Sequence, residues 1–146
     1  MSPSAEPVEI LLAEDNPGDA RLTEKAFEQG NIVNNLHIVE DGVEAMQFLR
    51  QEATYQDQAR PDLVLLDLNM PKKDGWDVLE EMKSDAQLRR IPVIVLTSSE
   101  AEEDILKSYD LQANAYLTKP VDFDGFMEIV RSFEEFWLSV VKMPPD

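Results

Sequence analysis

The sequence predicts an α/β fold, an open doubly wound sheet of five parallel strands with helices on both faces. Apolar runs recur along the chain and are continuous, which is typical of strands buried on both faces. Segments with apolar residues at helical spacing separate these runs, as in consecutive strand–helix units. With 146 residues, the chain has room for one domain of five such units, too few for an eight-fold barrel.

The first two units occupy the N-terminal third of the chain. Residues 8–13 predict a buried strand, and Pro17 follows at a position that a first helical turn tolerates. The stripe of this helix consists of Leu22, Ala26 and Phe27, ending at Gly30. Residues 36–39 predict a half-buried strand in which His37 faces outward, because it alternates with apolar neighbours. The second helix is predicted from a turn and a stripe, Asp41-Gly42 followed by Val43, Ala45, Met46 and Leu49.

The next two units contain the most apolar segments. After a polar loop over residues 51–60, residues 63–66 predict a central strand. The third helix is predicted from Trp76 in its first turn and from Val78, Leu79 and Met82. Residues 93–96 predict a fourth buried strand. A short acidic helix follows, with Ile105, Leu106 and Tyr109.

The fifth unit completes the domain. Residues 115–117 predict a brief strand, and a long final helix begins at Phe123 and ends by Pro144. We therefore expect a flexible N-terminus over residues 1–7, one domain over residues 8–142 with an extended last helix, a tail over residues 143–146, and no output domain.

Composition restricts the classes of partner. The chain has 30 acidic and 13 basic residues, a net charge of −17, which argues against direct binding to nucleic acid or an anionic membrane. A solvated surface, a salt-adapted source and cationic partners all fit this charge. There is no cysteine, signal peptide or apolar run of membrane-spanning length, so we expect a cytoplasmic protein.

Reactive side chains follow four of the predicted strands. Glu14 and Asp15 follow the first strand, Asp67 the third, Thr97 the fourth and Lys119 the fifth. Since the carboxyl ends of parallel strands share one edge of the sheet, we expect these side chains to meet there. An isolated acid after a strand is usually only a turn residue, but together these residues predict a site for a cation and a phosphoryl group.

The chemistry of these residue types agrees with that prediction. Carboxylate oxygens suit Mg²⁺, which would offset the repulsion between neighbouring acids. An ionised carboxylate can attack phosphorus to form an aspartyl-phosphate, and the metal and Lys119 would keep it ionised. A hydroxyl at Thr97 could then bind a phosphoryl oxygen.

Four motifs resemble those of the response-regulator receiver domains of two-component signalling. "AEDNPGD" resembles the acidic pair, "LLDLNMPKKDGW" the segment around the phosphorylated aspartate, "VIVLTSS" the switch hydroxyl and "AYLTKP" the switch aromatic residue with the lysine–proline pair. The resemblance extends from about residue 8 to residue 141. It implies a flavodoxin-like (βα)5 fold.

The resemblance also implies roles for the clustered residues. Asp67 would accept the phosphoryl group from the phosphohistidine of a sensor histidine kinase. Asp15 would hold Mg²⁺, directly or with Glu14 acting through water. Asp67 and the backbone carbonyl of Asn69 would be further ligands. Lys119 would pair with Asp67 or with its phosphate.

The same resemblance implies a conformational switch. Thr97 would move toward the phosphoryl group and Tyr116 would turn inward behind it, while the bond from Lys119 to Pro120 would be cis. Two structural alternatives stay open: Tyr116 could be ordinary core packing, and Thr97 could cap the following helix.

Two other functions compete with a stand-alone phosphoacceptor switch. An aspartate-nucleophile phosphatase would need a second acid at the position of Asn69, and a degenerate receiver would act only as a binding module. We expect a signalling protein and not an enzyme, although it would assist its own phosphotransfer and dephosphorylation.

Partners are predicted from resemblance and from the last helix. The segment "NMPKKDGWDVLEEMKSDAQLRRIPVIVLTSS" and the tail "FEEFWL" are similar to small response regulators paired with bacteriophytochrome histidine kinases, which implies a kinase of that type, with an unknown downstream target. In the last helix, Met127, Phe136 and Val141 fall off the stripe expected to cover the sheet and should face outward. Trp137 is on that stripe, but the helix is expected to run past the end of the sheet beyond Phe136, which leaves Trp137 without a core to bury it. We expect a homodimer through Phe136 and Trp137, with folding of the tail onto its own domain as the alternative.

Overall fold

The computed structural model describes residues 7–30, 33–97, 101–102, 104–105, 113, 115–119 and 123–142, with the side chains of the last helix described at residues 123–128 and 130–135. The strands are β1 (Val8–Ala13), β2 (Asn34–Val39), β3 (Leu63–Asp67), β4 (Val93–Thr97) and β5 (Ala115–Thr118). The described helices are α1 (Pro17–Glu28), α2 (Gly42–Leu49), α3 (Gly75–Ser84) and α4 (Phe123–Lys142), with short 3₁₀ turns at Ala53–Tyr55 and Leu88–Arg90.

The five strands form one parallel sheet in the order β2-β1-β3-β4-β5. Every residue of β3 and β4 is buried, and β1 is buried except at Glu9, as expected for continuous apolar strands covered on both faces. This order is the flavodoxin-like order, in which ligands bind outside the carboxyl ends of the strands. The predicted fold class is confirmed.

Side chains that alternate along the strands form two apolar cores. One core lies under α2 and α3 and includes Leu11, Val64 and Leu66; the other lies under α1 and α4 and includes Leu12 and Leu65. Burial of each such leucine stabilises the fold by about 1.5–3 kcal/mol relative to exposure. The α4 helix contributes Phe126, Val130 and Phe133 to the second core.

Three helices begin with a side-chain cap at the same edge of the sheet. Asn16, Asp41 and Asp74 accept hydrogen bonds from backbone N–H groups at 2.9–3.0 Å at the starts of α1, α2 and α3. Each such cap contributes about 1 kcal/mol to stability. Since these helices follow β1, β2 and β3, the caps fix the loops that leave the carboxyl ends of those strands.

Three local expectations differ from the structure. His37 is only partly exposed: 26% of its side chain is accessible, its Nε2 lies 2.8 Å from Oε1 of Glu9 on β1, and its ring centroid lies 5.0 Å from that of Phe48. Met127 is partly buried against the α1 and α4 core, so it does not face outward. The loop over residues 51–60 contains a 3₁₀ turn, whose last residue, Tyr55, has its ring centroid 5.1 Å from that of Phe48.

Several expectations fall beyond the described part of the chain. Residues 101–102 and 104–105 are helical, whereas Leu106 and Tyr109 lie outside the described residues. The termini, residues 1–6 and 143–146, also lie outside them, so the predicted domain limits stay predictions. Within the described residues, no helix combines the length and the apolar character that crossing a membrane requires.

Candidate functional site

A lysine ammonium and two buried carboxylates meet at the carboxyl edge of the sheet. The Nζ atom of Lys119 lies 3.1 Å from both carboxylate oxygens of Glu14 and 3.0 Å from Oδ2 of Asp67. Glu14 and Asp67 are 1% and 2% exposed. The predicted meeting of strand ends is therefore present for these three residues.

The register of the parallel strands produces this arrangement. Ala13 pairs with Leu66, Asp67 pairs with Leu96, and Thr97 pairs with Thr118. Glu14 and Lys119 directly follow β1 and β5, and Asp67 is the last residue of β3, so all three lie at the same edge of the sheet. The backbone N–H of Lys119 donates to the carbonyl of Thr97 at 2.8 Å, which extends the pairing of β4 and β5 up to the lysine.

Close packing of α3 fixes the end of β3. A Cβ atom at Gly75 would lie 2.3 Å from the backbone oxygen of Asp67 and 2.6 Å from the Cα of Leu68. Only glycine allows α3 to begin this close to the strand. The backbone of Asp67 is thus held from the side of α3.

The site holds more negative than positive charge, and this excess, together with burial, shifts the pKa values of its groups. Burial raises the pKa of Glu14 most, and the neighbouring Asp67 carboxyl raises it further, to about 7, against the lowering effect of Lys119 and the Asn16 N–H. Burial lowers the pKa of Lys119, but hydrogen bonds to the carboxylates of Asp67, Asp19 and Glu14 outweigh this and raise the pKa above the usual value for lysine. The lysine therefore stays charged, while the carboxylates repel one another.

The acidic side chains fit a hard divalent cation. One oxygen from each of Glu14, Asp15 and Asp67 lies within 4.8 Å of the others. Asp15 is exposed, which leaves one side of this cluster open to the waters that Mg²⁺ retains. Asn69 follows closely, and its N–H donates to Oδ1 of Asp67 at 3.0 Å, so the loop backbone runs beside the carboxylate.

The two switch candidates flank the site. Thr97 is fully buried at the end of β4. Tyr116 is half-buried in β5, where it packs against the core under α2 and α3 and its hydroxyl accepts a hydrogen bond from the N–H of Ala113 at 3.0 Å. Packing and hydrogen bonding both hold this ring, and its role as a switch stays a prediction.

Three other predicted site residues cannot be placed. Pro120 lies outside the described residues, as do the side chains of Phe136 and Trp137. The cis peptide bond and the dimer contact stay predictions.

One member of the site was missed by sequence reasoning. Oδ2 of Asp19 lies 3.0 Å from Nζ of Lys119. The available signal was its place in the first turn of α1, directly after the loop that carries Glu14 and Asp15.

Comparison with known proteins decides the family. Residues 10–131 match the family described as the response regulator receiver domain. The chain belongs to this family. Receiver domains accept phosphoryl groups in two-component signalling, and the strand-end cluster lies where the motifs of the family predict it. The aspartate-nucleophile phosphatase and the degenerate receiver are not favoured.

Similar receiver proteins include phytochrome-associated regulators. The chain is 46% identical over 138 residues to the response regulator Rcp1 of Synechocystis sp., with 94% of each chain covered. It superposes with a TM-score of 0.80 on the phosphorylated cyanobacterial phytochrome response regulator RcpA, at 48% identity over 96% of this chain and 100% of that one. For the Mn²⁺-bound form of Rcp1 the TM-score is 0.79, at 45% identity over 95% and 100% of the two chains. The predicted resemblance to phytochrome-associated regulators is confirmed.

Proposed function

We propose that this protein accepts a phosphoryl group on Asp67 from the phosphohistidine of a sensor histidine kinase, in a Mg²⁺-dependent reaction. The observation that carries the proposal is the environment of the Asp67 carboxylate. One of its oxygens is held by the Asn69 N–H and the other by the Lys119 ammonium, at 3.0 Å each. These two contacts fix the orientation of the carboxylate, and the lysine places a positive charge beside it.

The transfer itself is a substitution at phosphorus. An oxygen of Asp67 forms a bond to phosphorus, and the bond from phosphorus to the imidazole nitrogen of the donor breaks. The electron pair leaves with that nitrogen. The protein contributes orientation and charge stabilisation, which dominate phosphoryl transfer.

The residues around Asp67 divide this work. The Lys119 ammonium would bind an oxygen of the phosphoryl group as negative charge moves onto Asp67. Glu14, Asp15, Asp67 and the Asn69 carbonyl would hold magnesium. When bound, the metal would supply positive charge that offsets both the acidic cluster and the phosphoryl oxygens. The Mn²⁺-bound form of Rcp1 supports a divalent cation site in this fold.

Signalling would follow from the buried hydroxyl of Thr97. It would bind a phosphoryl oxygen, and Tyr116 in the neighbouring strand would change its packing in response. We also infer a weak self-catalysed loss of the phosphoryl group, because the site that positions the donor can also position water.

Similarity to RcpA and Rcp1 supports a phytochrome-type kinase as the partner. The net charge of −17 fits a target with a basic protein surface and argues against nucleic acid as a direct partner. The downstream target is not specified by the chemistry of the site.

We further propose a homodimer through Phe136 and Trp137. The aromatic residues in "FEEFWL" support it, since large apolar side chains near the end of a helix are common at interfaces. Light scattering across concentration should show a dimer for the wild type and a monomer for Phe136→Ala with Trp137→Ala. A double variant that dimerises like its parent would exclude these residues as the contact.

Incubation with Mg²⁺ and acetyl phosphate tests the phosphoryl proposal. The intact mass of the wild type should rise by one phosphoryl group, and chelation of Mg²⁺ should prevent this. Asp67→Asn should not be labelled. Asp57→Asn is the matched control, because Asp57 is exposed in the loop before β3 and should be labelled like the wild type. An unlabelled wild type, or a labelled Asp67→Asn variant, contradicts the proposal.

A further inference from the structure

The Lys119 ammonium is bound by one more carboxylate than the phosphoryl proposal uses. Its Nζ atom lies 3.1 Å from both Glu14 oxygens, 3.0 Å from Asp67 Oδ2 and 3.0 Å from Asp19 Oδ2. Three carboxylates match the three N–H donors of the lysine. Asp19 is not part of the acidic cluster that fits a cation, which consists of Glu14, Asp15 and Asp67.

Two hydrogen bonds in the first turns of helix α1 hold the backbone of Asp19, one at its N–H and one at its carbonyl. Its N–H donates to Oδ1 of Asn16 at 3.0 Å, and its carbonyl accepts from the Thr23 hydroxyl at 2.9 Å. Its side chain is 32% exposed, in contrast to the buried Glu14 and Asp67. The Asp19 carboxylate therefore contacts the lysine from the solvent side of the site.

We propose that Asp19 is a positioning residue for phosphoryl transfer, which holds the Lys119 ammonium beside Asp67 while Asp67 changes from a carboxylate into an acyl phosphate. This inference rests on the proposed function. When an oxygen of Asp67 becomes bonded to phosphorus, the negative charge that bound the lysine moves outward onto the phosphoryl oxygens. Asp19 does not change during the reaction, so it gives the lysine a constant partner throughout it.

Two simpler roles for Asp19 make different predictions. If Asp19 only added negative charge, its removal would speed the approach of an anionic phosphodonor, with or without Lys119. If Asp19 only stabilised α1, its removal would slow phosphorylation equally with and without Lys119. A positioning role requires that the effect of Asp19 depend on Lys119.

A double-mutant cycle separates these cases. The phosphorylation rate constant is measured with acetyl phosphate at saturating Mg²⁺ for the wild type, Asp19→Asn, Lys119→Ala and the double variant. Asp19→Asn should slow the reaction about threefold when Lys119 is present, a factor typical of coupling between partly exposed charges. In the Lys119→Ala background, Asp19→Asn should cause no slowing.

Glu24→Gln is the matched control for charge. Glu24 is exposed on α1, more than one helical turn after Asp19, and the substitution removes the same charge there. It should leave the rate constant unchanged in both backgrounds. If Asp19→Asn fails to fold, as judged by circular dichroism, Asp19→Ser replaces it in the cycle.

A coupling factor below twofold, or faster phosphorylation of Asp19→Asn, overturns the inference. If the wild type is labelled on Asp67 and the cycle shows no coupling, only the role of Asp19 fails. If the wild type is not labelled on Asp67, the proposed function fails and the role of Asp19 with it.

Discussion

The Nζ atom of Lys119 lies 3.0 Å from Oδ2 of Asp67, although the two residues are 52 positions apart in the sequence. The sheet produces this contact, because β3 ends at Asp67, β5 ends directly before Lys119, and only β4 lies between these two parallel strands. The contact places the positive charge of the lysine beside the carboxylate that we propose as the phosphoryl acceptor.

Removal of the lysine should strengthen Mg²⁺ binding. In Lys119→Ala, a cation that shares Glu14 and Asp67 with the metal is lost, so the dissociation constant for Mg²⁺ should fall by about fivefold or more, since about fivefold is the upper end of what one solvent-exposed ion pair contributes. Titration calorimetry measures this, with Lys83→Ala on α3 as the control. Unchanged or weaker Mg²⁺ binding in Lys119→Ala would show that the metal and the lysine do not share these carboxylates.

Low pH should stabilise the metal-free protein, because Glu14 binds a proton more tightly in the folded state than in the unfolded state. Its pKa is raised from 4.5 to about 7 by burial and by Asp67, so the folded state binds more protons than the unfolded state in this range. This contribution to the free energy of unfolding is fully present below pH 4.5 and is lost as the pH rises through about 7. Thermal unfolding with a chelator should therefore show less loss of stability from pH 5 to pH 8 in Glu14→Gln than in the wild type.

The control for that experiment is Glu24→Gln, whose side chain is exposed on α1 and which should follow the wild type. The same linkage predicts that Mg²⁺ binding releases protons near neutral pH, because the metal and the proton compete for Glu14. Identical pH dependence in Glu14→Gln and the wild type would contradict the assignment.

A methyl group at position 75 should disrupt the packing of α3 against β3. Gly75→Ala should lower the free energy of unfolding by about 1–3 kcal/mol and slow phosphorylation, because its Cβ would overlap the Asp67 backbone. Gly18→Ala is the comparison, since its Cβ would meet only the end of the Asn16 side chain, at 3.2 Å. Urea denaturation of both variants tests the difference. Equal stability would mean that the approach of α3 does not constrain β3.

The hydroxyl of Thr97 should couple the phosphoryl group to Tyr116. Thr97→Val keeps the shape of the buried side chain but removes the hydroxyl, so it should still be phosphorylated while the environment of Tyr116 stays unchanged. Thr97→Ser keeps the hydroxyl and is the control that should respond. Fluorine NMR of fluorotyrosine-labelled protein reports the ring. A full phosphorylation-dependent shift of Tyr116 in Thr97→Val would exclude this hydroxyl as the link.

The sequence predicted the parts of the site that follow from strand geometry. Asp67 and Lys119 could be brought together because each follows a strand, and parallel strands end at one edge. Asp19 could not, because its contact with Lys119 depends on the direction in which α1 leaves the loop. The role of Gly75 depends likewise on how closely a helix approaches the strand. The contacts of His37 could not be predicted either, because strand alternation does not reveal its partner Glu9 on β1.

Chemical location of the phosphoryl group tests the central claim most directly. Borohydride reduces an acyl phosphate to the corresponding alcohol, so a phosphorylated aspartate becomes homoserine. The phosphorylated protein is reduced, digested and sequenced by mass spectrometry, beside an unphosphorylated sample treated in the same way. Homoserine at position 67, and only in the phosphorylated sample, is the expected result. Homoserine at Asp15 or another aspartate, with Asp67 intact, would contradict the account.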